Sequence, residues 1–87
     1  MSPYRIDYSP KARKELRAIR DARVGAPLKR AIAALSINPR PVGVVKIVGE
    51  DDQWRVRVGD WRIIYRIDDG VLVVLVVTVS PRGGAYR

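Results

Sequence analysis

Three arginines around one predicted turn are the residues of this sequence best suited to chemistry. Arg55 and Arg57 precede the pair Gly59-Asp60, and Arg62 follows it. A pair that begins with glycine suits a two-residue type II′ hairpin turn. With the turn at this pair, Arg57 lies opposite Arg62, and Arg55 shares their face because alternate residues of a strand project to the same side. Guanidinium groups placed in this way can hold a phosphate through paired hydrogen bonds.

The opposed arginines indicate that this face of the sheet has a role beyond folding. Like charges directly opposite each other destabilise a sheet by a few tenths to about 1 kcal/mol. We therefore expect an anion to occupy the gap between Arg57 and Arg62, and Arg66 continues the same face. The alternative is that these arginines are simply surface residues, exposed to solvent on the outer side of the sheet.

The C-terminal segment adds two further candidates. A second tight turn, predicted at 69–70 as type I′, places Val77 opposite Arg62 and directs the end of the chain toward the arginines. That end carries Arg82 and, after two glycines, Tyr86, whose ring can stack on a base. Arginines together with an aromatic platform are typical of single-stranded RNA recognition. For Tyr86 the alternative is a ring that folds back onto the core.

The composition favours a polyanion as the partner. The chain has 17 Lys plus Arg against 9 Asp plus Glu, a formal charge of +8. This charge predicts affinity for nucleic acid or for an acidic protein, although a generally basic surface has the same composition. Because the chain contains no cysteine and no histidine, disulfides and the commonest general base are excluded. Any catalysis must use Arg, Lys, Tyr or a carboxylate, and a chain of this length leaves no room for a deep cofactor chamber.

The first half of the chain predicts one strand and two helices. Alternation over residues 4–8 predicts a short strand, and Ser9-Pro10 begins a helix with serine as its N-cap. The apolar spacing of the next segment predicts a second helix. It begins either near Ala26 or already at Asp21 with a kink at the proline, and it ends at Asn38-Pro39.

From Val44 onward the hydrophobic period changes to two, which predicts four strands joined by short turns. The expected ranges are 44–48, 53–58, 61–68 and 71–79. One apolar face for the helices to cover is formed by Trp54, Val56, Val58, Trp61, Ile63, Tyr65 and Ile67. The sequence therefore predicts a single α+β domain over residues 1–87, an antiparallel sheet packed on an αα-hairpin in the order β-α-α-β-β-β-β.

The sequence predicts a soluble protein of the cytoplasm. Residues 1–10 contain charged residues and no apolar segment of the kind found in secretory signals. The most apolar stretch, 71–79, is far shorter than the roughly 20 residues of a membrane helix. No membrane partner is expected.

Several of these segments also occur together in a known family. The run from Trp54 to Asp69, the helix start Ser9-Pro10-Lys11-Ala12 and the helix end Leu35…Asn38-Pro39 follow each other in the family's order. Over nearly its whole length the chain resembles the RelE/ParE superfamily of bacterial type II toxins, in particular the RelE branch. The resemblance implies a RelE-like fold.

For function, the resemblance implies an endoribonuclease that cuts messenger RNA in the ribosomal A site without a metal or cofactor. The 2′-OH of the RNA attacks the adjacent phosphate and the 5′-oxygen leaves with a proton. By family position, Arg55 and Arg57 orient the 2′-OH and the phosphate. Arg62 stabilises the transition state, Arg82 donates the proton to the leaving oxygen, and Tyr86 stacks on a base.

The sequence departs from the RelE pattern at two places. Arg55 and Arg57 stand where the RelE branch has lysines, and arginine does not readily give up a proton. The general base is therefore unassigned. The C-terminal segment also lacks a histidine and one arginine that relatives often carry beside the position of Arg82. We expect slow cleavage, or cleavage that needs the ribosome to position the message.

Two other functions fit the same sequence. One is that of the ParE branch, which inhibits DNA gyrase and cuts no RNA. The other is a non-catalytic nucleic-acid-binding module in which the arginines only hold phosphate. For the toxin, the expected partners are the 70S ribosome with its mRNA and a cognate antitoxin whose acidic or amphipathic segment covers the arginine face or the helices.

Overall fold

The elements follow the predicted order. A computed structural model describes residues 3–47, 49 and 52–81. In this part of the chain two helices pack on a five-stranded sheet, which confirms the α+β class. The elements are β1 Arg5–Tyr8, α1 Pro10–Ala18, α2 Ala22–Ile37, β2 Val45–Ile47, β3 Gln53–Val58, β4 Trp61–Asp68 and β5 Val73–Pro81.

The sheet is mixed, with the strand order β1-β5-β4-β3-β2. Strands β2 to β5 form the predicted antiparallel meander. Strand β1, however, runs parallel to β5, with Arg5 beside Val73 and Tyr8 beside Val76. The description of the whole sheet as antiparallel is therefore corrected for this one pair. Parallel strands need a long connection between them. Here the two helices and the other three strands lie between β1 and β5 in the sequence, which allows β5 to run alongside β1 in the same direction.

Side chains before each helix fix where it begins. The hydroxyl of Ser9 accepts a hydrogen bond from the Ala12 amide at 2.9 Å, as predicted for an N-cap. The carboxylate of Asp21 accepts one from the Arg23 amide at 2.9 Å, and α2 follows directly. Of the two predicted starts of the second helix, the earlier one is thus confirmed, with Pro27 inside the helix. Within the described residues, neither helix is long and apolar enough to cross a membrane.

The core lies between the helices and one face of the sheet, as the apolar pattern predicts. Of the seven sheet residues expected there, Ile63 and Tyr65 are fully buried and the other five pack against the core while partly buried. The core cluster consists of Ala12, Leu28, Ile32, Leu35, Ile63, Tyr65, Val74, Val76 and Val79. Neither of the two described helices covers the opposite face of the sheet, and we call it the open face.

Tyr65 joins the sheet to the segment after α2. Its hydroxyl donates a hydrogen bond of 2.7 Å to the carbonyl oxygen of Pro39, and burial raises the pKa of Tyr65 to about 12. An unfolded tyrosine has a pKa of about 10, so the native protein retains this proton between the two values. Since the unfolded chain binds fewer protons in that window, stability is lost as the pH rises through it.

We predict that Tyr65→Phe removes this part of the alkaline pH dependence. At pH 11 the wild-type free energy of unfolding should have fallen by about 1 kcal/mol more than that of the variant, both relative to pH 8. At pH 8 the variant should be less stable by about 1–3 kcal/mol, because the Pro39 carbonyl loses its partner. Urea unfolding at both pH values measures this. The hydrogen bond to Asp69 raises the pKa of Tyr4 as well, but Tyr4 is present in both proteins, so its contribution to the pH dependence cancels in the comparison.

The connection between β4 and β5 differs from the predicted two-residue turn. Residues 69–72 form the loop, and the residue with positive φ is Leu72, at 57°, rather than Gly70. The cause is Asp68, whose carboxylate accepts hydrogen bonds from the amides of Gly70 and Val71 at 2.9 and 3.2 Å. In a type I′ turn a backbone carbonyl of the preceding strand would accept the hydrogen bond that the Asp68 carboxylate accepts here. As a result, β5 begins at Val73 and not at 71.

The turn between β3 and β4 is the predicted one. Gly59 has a φ of 59°, a conformation in which a side chain costs about 1–2 kcal/mol. We therefore expect Gly59→Ala to destabilise the protein by about that amount. Gly25→Ala is the matched control, because a Cβ there meets only ordinary contact at 3.6 Å from Ile19 and should stabilise α2 by about 0.5–1 kcal/mol. Thermal unfolding of both variants tests the pair, and equal effects would contradict it.

Candidate functional site

The arginines meet in the register that the sequence predicts. Val58 pairs with Trp61 across the turn, Arg57 pairs with Arg62, and Arg55 pairs with Ile64. Because side chains alternate along each strand and the neighbours of these arginines pack on the core, Arg55, Arg57 and Arg62 project from the open face. The structure therefore brings together three of the five predicted site residues. Arg82 and Tyr86 lie outside the described residues.

Two of the three arginines are held close to the sheet. Arg57 is exposed, whereas Arg55 and Arg62 are half-buried. The Nε atom of Arg55 is buried and makes no hydrogen bond within the described part of the chain. A buried donor without a partner costs about 1–3 kcal/mol, so a ligand that offers an acceptor oxygen would bind here favourably.

A concave groove lies beside these arginines, and we call it the arginine groove. Its volume is about 350 Å³, and it is lined by Ile47, Gln53, Arg55, Arg62 and Ile64. Ile64 is only 9% exposed although it lies on the face that the helices leave open. The groove thus combines cationic walls with an apolar floor, and none of these lining residues is a carboxylate that would repel an anion.

The end of β5 lies next to the arginines, but in a register that was not predicted. Arg62 pairs with Ser80, not with Val77, and Trp61 pairs with Pro81. The longer loop after β4 shifts the pairing by two residues, and an irregularity between Ile64 and Tyr65 shifts it by one more. The direction of the prediction is nevertheless correct, since β5 ends at the edge of the sheet where the arginines lie.

Glu15 contributes to this arrangement and was missed by the sequence analysis. Its carboxylate accepts hydrogen bonds from the hydroxyl of Thr78 at 2.8 and 2.9 Å and from the amide of Val79 at 2.8 Å. These contacts provide hydrogen-bond acceptors for the edge of β5 beyond the point where β1 ends. They also connect the last residues of β5 to α1. The signal in the sequence is weak: Glu15 is the one acidic residue among the cations of α1.

The other end of the open face has a different electrostatic character. A second concave region of about 480 Å³ is lined by both charges, among them Arg5, Asp7, Arg66 and Asp68. Arg5 and Asp7 form an ion pair at 3.1 Å. Carboxylates at this end disfavour a polyanion, and Arg66 lies among them rather than in the arginine groove. An anionic ligand is therefore expected at the end near Arg57 and Arg62.

The sequence and the fold of this chain match a family of bacterial toxins. The model of the ParE toxin of type II toxin–antitoxin systems, parDE, matches residues 6–86. The chain therefore belongs to this family and is a toxin of a type II toxin–antitoxin pair. The resemblance to the RelE/ParE superfamily is confirmed.

Similar proteins and similar solved structures carry the names RelE and RelG. Toxin RelG of Mycobacterium tuberculosis is 29% identical over 85 residues, which cover 98% of each chain. Toxin RelE of the same organism is 26% identical over 85 residues, 98% of this chain and 88% of the relative. Among solved structures, the archaeal RelE–RelB complex from Pyrococcus horikoshii has a TM-score of 0.80 at 28% identity, covering 95% of this chain and 99% of the other. The intact E. coli RelBE toxin–antitoxin complex has a TM-score of 0.79 at 27% identity, covering 97% and 99%.

Proposed function

We propose that this toxin is a metal-independent endoribonuclease that cuts messenger RNA on the ribosome and so stops translation. The observation that carries the proposal is the pairing of Arg57 with Arg62 beside Arg55, on a face that neither described helix covers. An arrangement of this kind is unfavourable for folding and favourable for a phosphate. The relatives of the RelE branch support the same assignment.

In the proposed reaction the 2′-oxygen of one nucleotide attacks the adjacent phosphorus, and the bond from phosphorus to the 5′-oxygen breaks. Arg55 and Arg57 hold the phosphate and orient the 2′-OH. Arg62 stabilises the additional negative charge of the phosphorane, and electrostatic stabilisation of this kind often contributes more to catalysis than any other effect. The products are a 2′,3′-cyclic phosphate and a 5′-hydroxyl end.

Proton transfer is divided between solvent and the C-terminal segment. Arginine stays protonated at neutral pH, so Arg55 and Arg57 do not act as the base, and the proton of the 2′-OH passes to water. We propose Arg82 as the donor to the leaving 5′-oxygen, because an alkoxide is a stronger base than a neutral guanidine, and Arg82 then regains a proton from solvent. We propose Tyr86 as the residue that stacks on a neighbouring base. In this scheme the protein contributes mainly orientation and charge, which explains why cleavage is expected to need the ribosome to position the message.

We further infer that a cognate antitoxin neutralises this toxin in the cytoplasm. The related structures from P. horikoshii and E. coli are complexes of RelE with its antitoxin RelB. A toxin with a charge of +8 is complementary to an acidic segment, which would cover the open face or the basic helices. Co-expression with the small protein encoded beside the toxin, followed by purification, tests this, and the absence of a complex would exclude that protein as the antitoxin.

The test of the nuclease is protein purified with EDTA and then freed of the chelator, added to translating ribosomes, with mapping of new RNA 5′ ends. The proposal requires new 5′-hydroxyl ends within A-site codons. Ribosome binding without new ends would instead support a non-catalytic RNA-binding module. A ParE-like inhibitor of DNA gyrase would leave the message intact and inhibit supercoiling in a parallel assay. Binding to ribosomes should weaken steeply as salt is raised, because each neutralised phosphate releases counterions.

A further inference from the structure

The arginine groove contains two features that phosphate binding does not use. One is its apolar floor, where Ile64 and Ile47 lie side by side with the arginines. The other is the amide of Gln53, which lies two residues before Arg55 on the same face of β3. A phosphate needs neither an apolar surface nor a neutral amide. A nucleobase can use both, because its ring packs against an apolar surface and its edge forms hydrogen bonds.

Gln53 is placed to contact a ligand. It pairs with Ile47 on one side and with Arg66 on the other, in the middle of this part of the sheet. The residue is half-buried, and its side-chain amide makes no hydrogen bond to any residue that the structure describes. Among the described residues, nothing therefore occupies the donors and the acceptor of this amide, which lies at the wall of the groove.

The dimensions of the groove fit one base. Its volume of about 350 Å³ lies at the lower end of the range for small-ligand sites, about 300–1,000 Å³. Arg55 and Arg62 line the same groove, so a base on Ile64 would have its own phosphate groups next to the guanidinium groups. The positions of charge, apolar floor and amide therefore correspond to the parts of one nucleotide.

We propose that the arginine groove binds one base of the RNA and that Gln53 selects adenine at that position. This inference rests on the proposed function, since it assigns the base specificity of the same site. The Gln53 amide can donate and accept, and in this proposal it meets the Hoogsteen edge of the base, where only adenine combines an acceptor, N7, with a donor, the N6 amino group. Guanine presents two acceptors on the same edge, N7 and O6, and leaves the amide oxygen facing an acceptor.

Cleavage mapping on a message with randomised codons gives the first test. Wild-type protein should show adenine enriched at one fixed position relative to the cut. Gln53→Leu, which keeps the size of the side chain but removes its hydrogen bonds, should reduce that enrichment by a factor between about 5 and 100. Gln53→Glu should shift the preference toward cytosine, whose amino group donates to a carboxylate. Arg66→Ala, an exposed neighbour on the open face, should keep the wild-type preference.

Binding of short single-stranded RNA gives a second test that does not depend on cleavage. NMR titration with hexamers of A, C, G and U should show the tightest binding for the A hexamer, with the largest shift at the Gln53 side-chain amide. Gln53→Leu should abolish the difference between the A and G hexamers.

The two tests separate the failure of the inference from that of the function. Cleavage with an unchanged base preference in Gln53→Leu would overturn the role of Gln53 and leave the nuclease standing. Adenine-selective binding without cleavage would support the base site and refute the nuclease. Equal binding of all four hexamers by wild-type protein would overturn the base site whatever the cleavage assay shows.

Discussion

Replacing Arg62 with alanine is expected to slow RNA cleavage on the ribosome by about 10²–10³-fold, the usual loss when one group that stabilises transition-state charge is removed. Arg62 lines the arginine groove and pairs with Arg57, so it can contact the phosphate that Arg55 and Arg57 hold. Single-turnover cleavage of a message with a defined A-site codon measures the rate. The loss should appear in the rate constant for cleavage. The affinity for ribosomes should change little, because many charged residues contribute to it.

Three measurements separate this effect from misfolding and from loss of charge. Arg62→Ala should change the free energy of unfolding by less than about 1 kcal/mol, because a like-charged cross-strand pair is removed. Arg62→Lys keeps the charge but not the two-point hydrogen bonding, and should recover only part of the rate. Arg66→Ala removes an exposed arginine from the same strand and should retain most of it. Undiminished cleavage by Arg62→Ala would refute the role assigned to this residue.

Arg82→Ala is the companion variant from the C-terminal segment. The proposed proton donation to the 5′-oxygen applies to this residue alone, so the variant should be defective on a normal phosphodiester. A message with a 5′-bridging sulfur at the cut site does not need that proton, because thiolate is a good leaving group. Rescue of Arg82→Ala, but not of Arg62→Ala, on the sulfur substrate would distinguish the two roles.

The features that the sequence predicts well are local ones. The turn at Gly59-Asp60 needs only a positive φ at the glycine, so the pairing of Arg57 with Arg62 follows from adjacent residues. The turn after Asp68 was mispredicted because a side chain, rather than the strand ladder, accepts the loop amides. Composition and spacing do not reveal which of these two acceptors the backbone will use.

Long-range relations are the ones that the sequence left open. The parallel pairing of β1 with β5 joins residues nearly seventy positions apart, and no local pattern specifies the partner. The arginine groove depends in the same way on three strands at once, since Gln53, Ile64 and Ile47 come from β3, β4 and β2. A glutamine in a strand is unremarkable in the sequence, and it becomes a candidate only because Ile64 is buried beside it.

Ile63→Ala is expected to destabilise the protein by about 2–5 kcal/mol, the range for truncating a buried isoleucine. Ile63 is 0% exposed and pairs with Val56 on one side and Val79 on the other, at the centre of the core face. A small domain has about 5–15 kcal/mol of stability in total, so the variant should approach unfolding at physiological temperature. Thermal unfolding should show a decrease in Tm of more than about 10 °C.

Ile37→Ala makes the same chemical change at a position where the side chain is 65% exposed, at the end of α2, and should shift the free energy of unfolding by less than about 0.5 kcal/mol. The pair also tests the orientation of the whole sheet. Since successive residues of β4 alternate between the two faces, a core position for Ile63 requires Arg62 to lie on the open face. If Ile63→Ala were as stable as Ile37→Ala, Ile63 would not lie in the core, and the arginines would no longer be assigned to the side that RNA can reach.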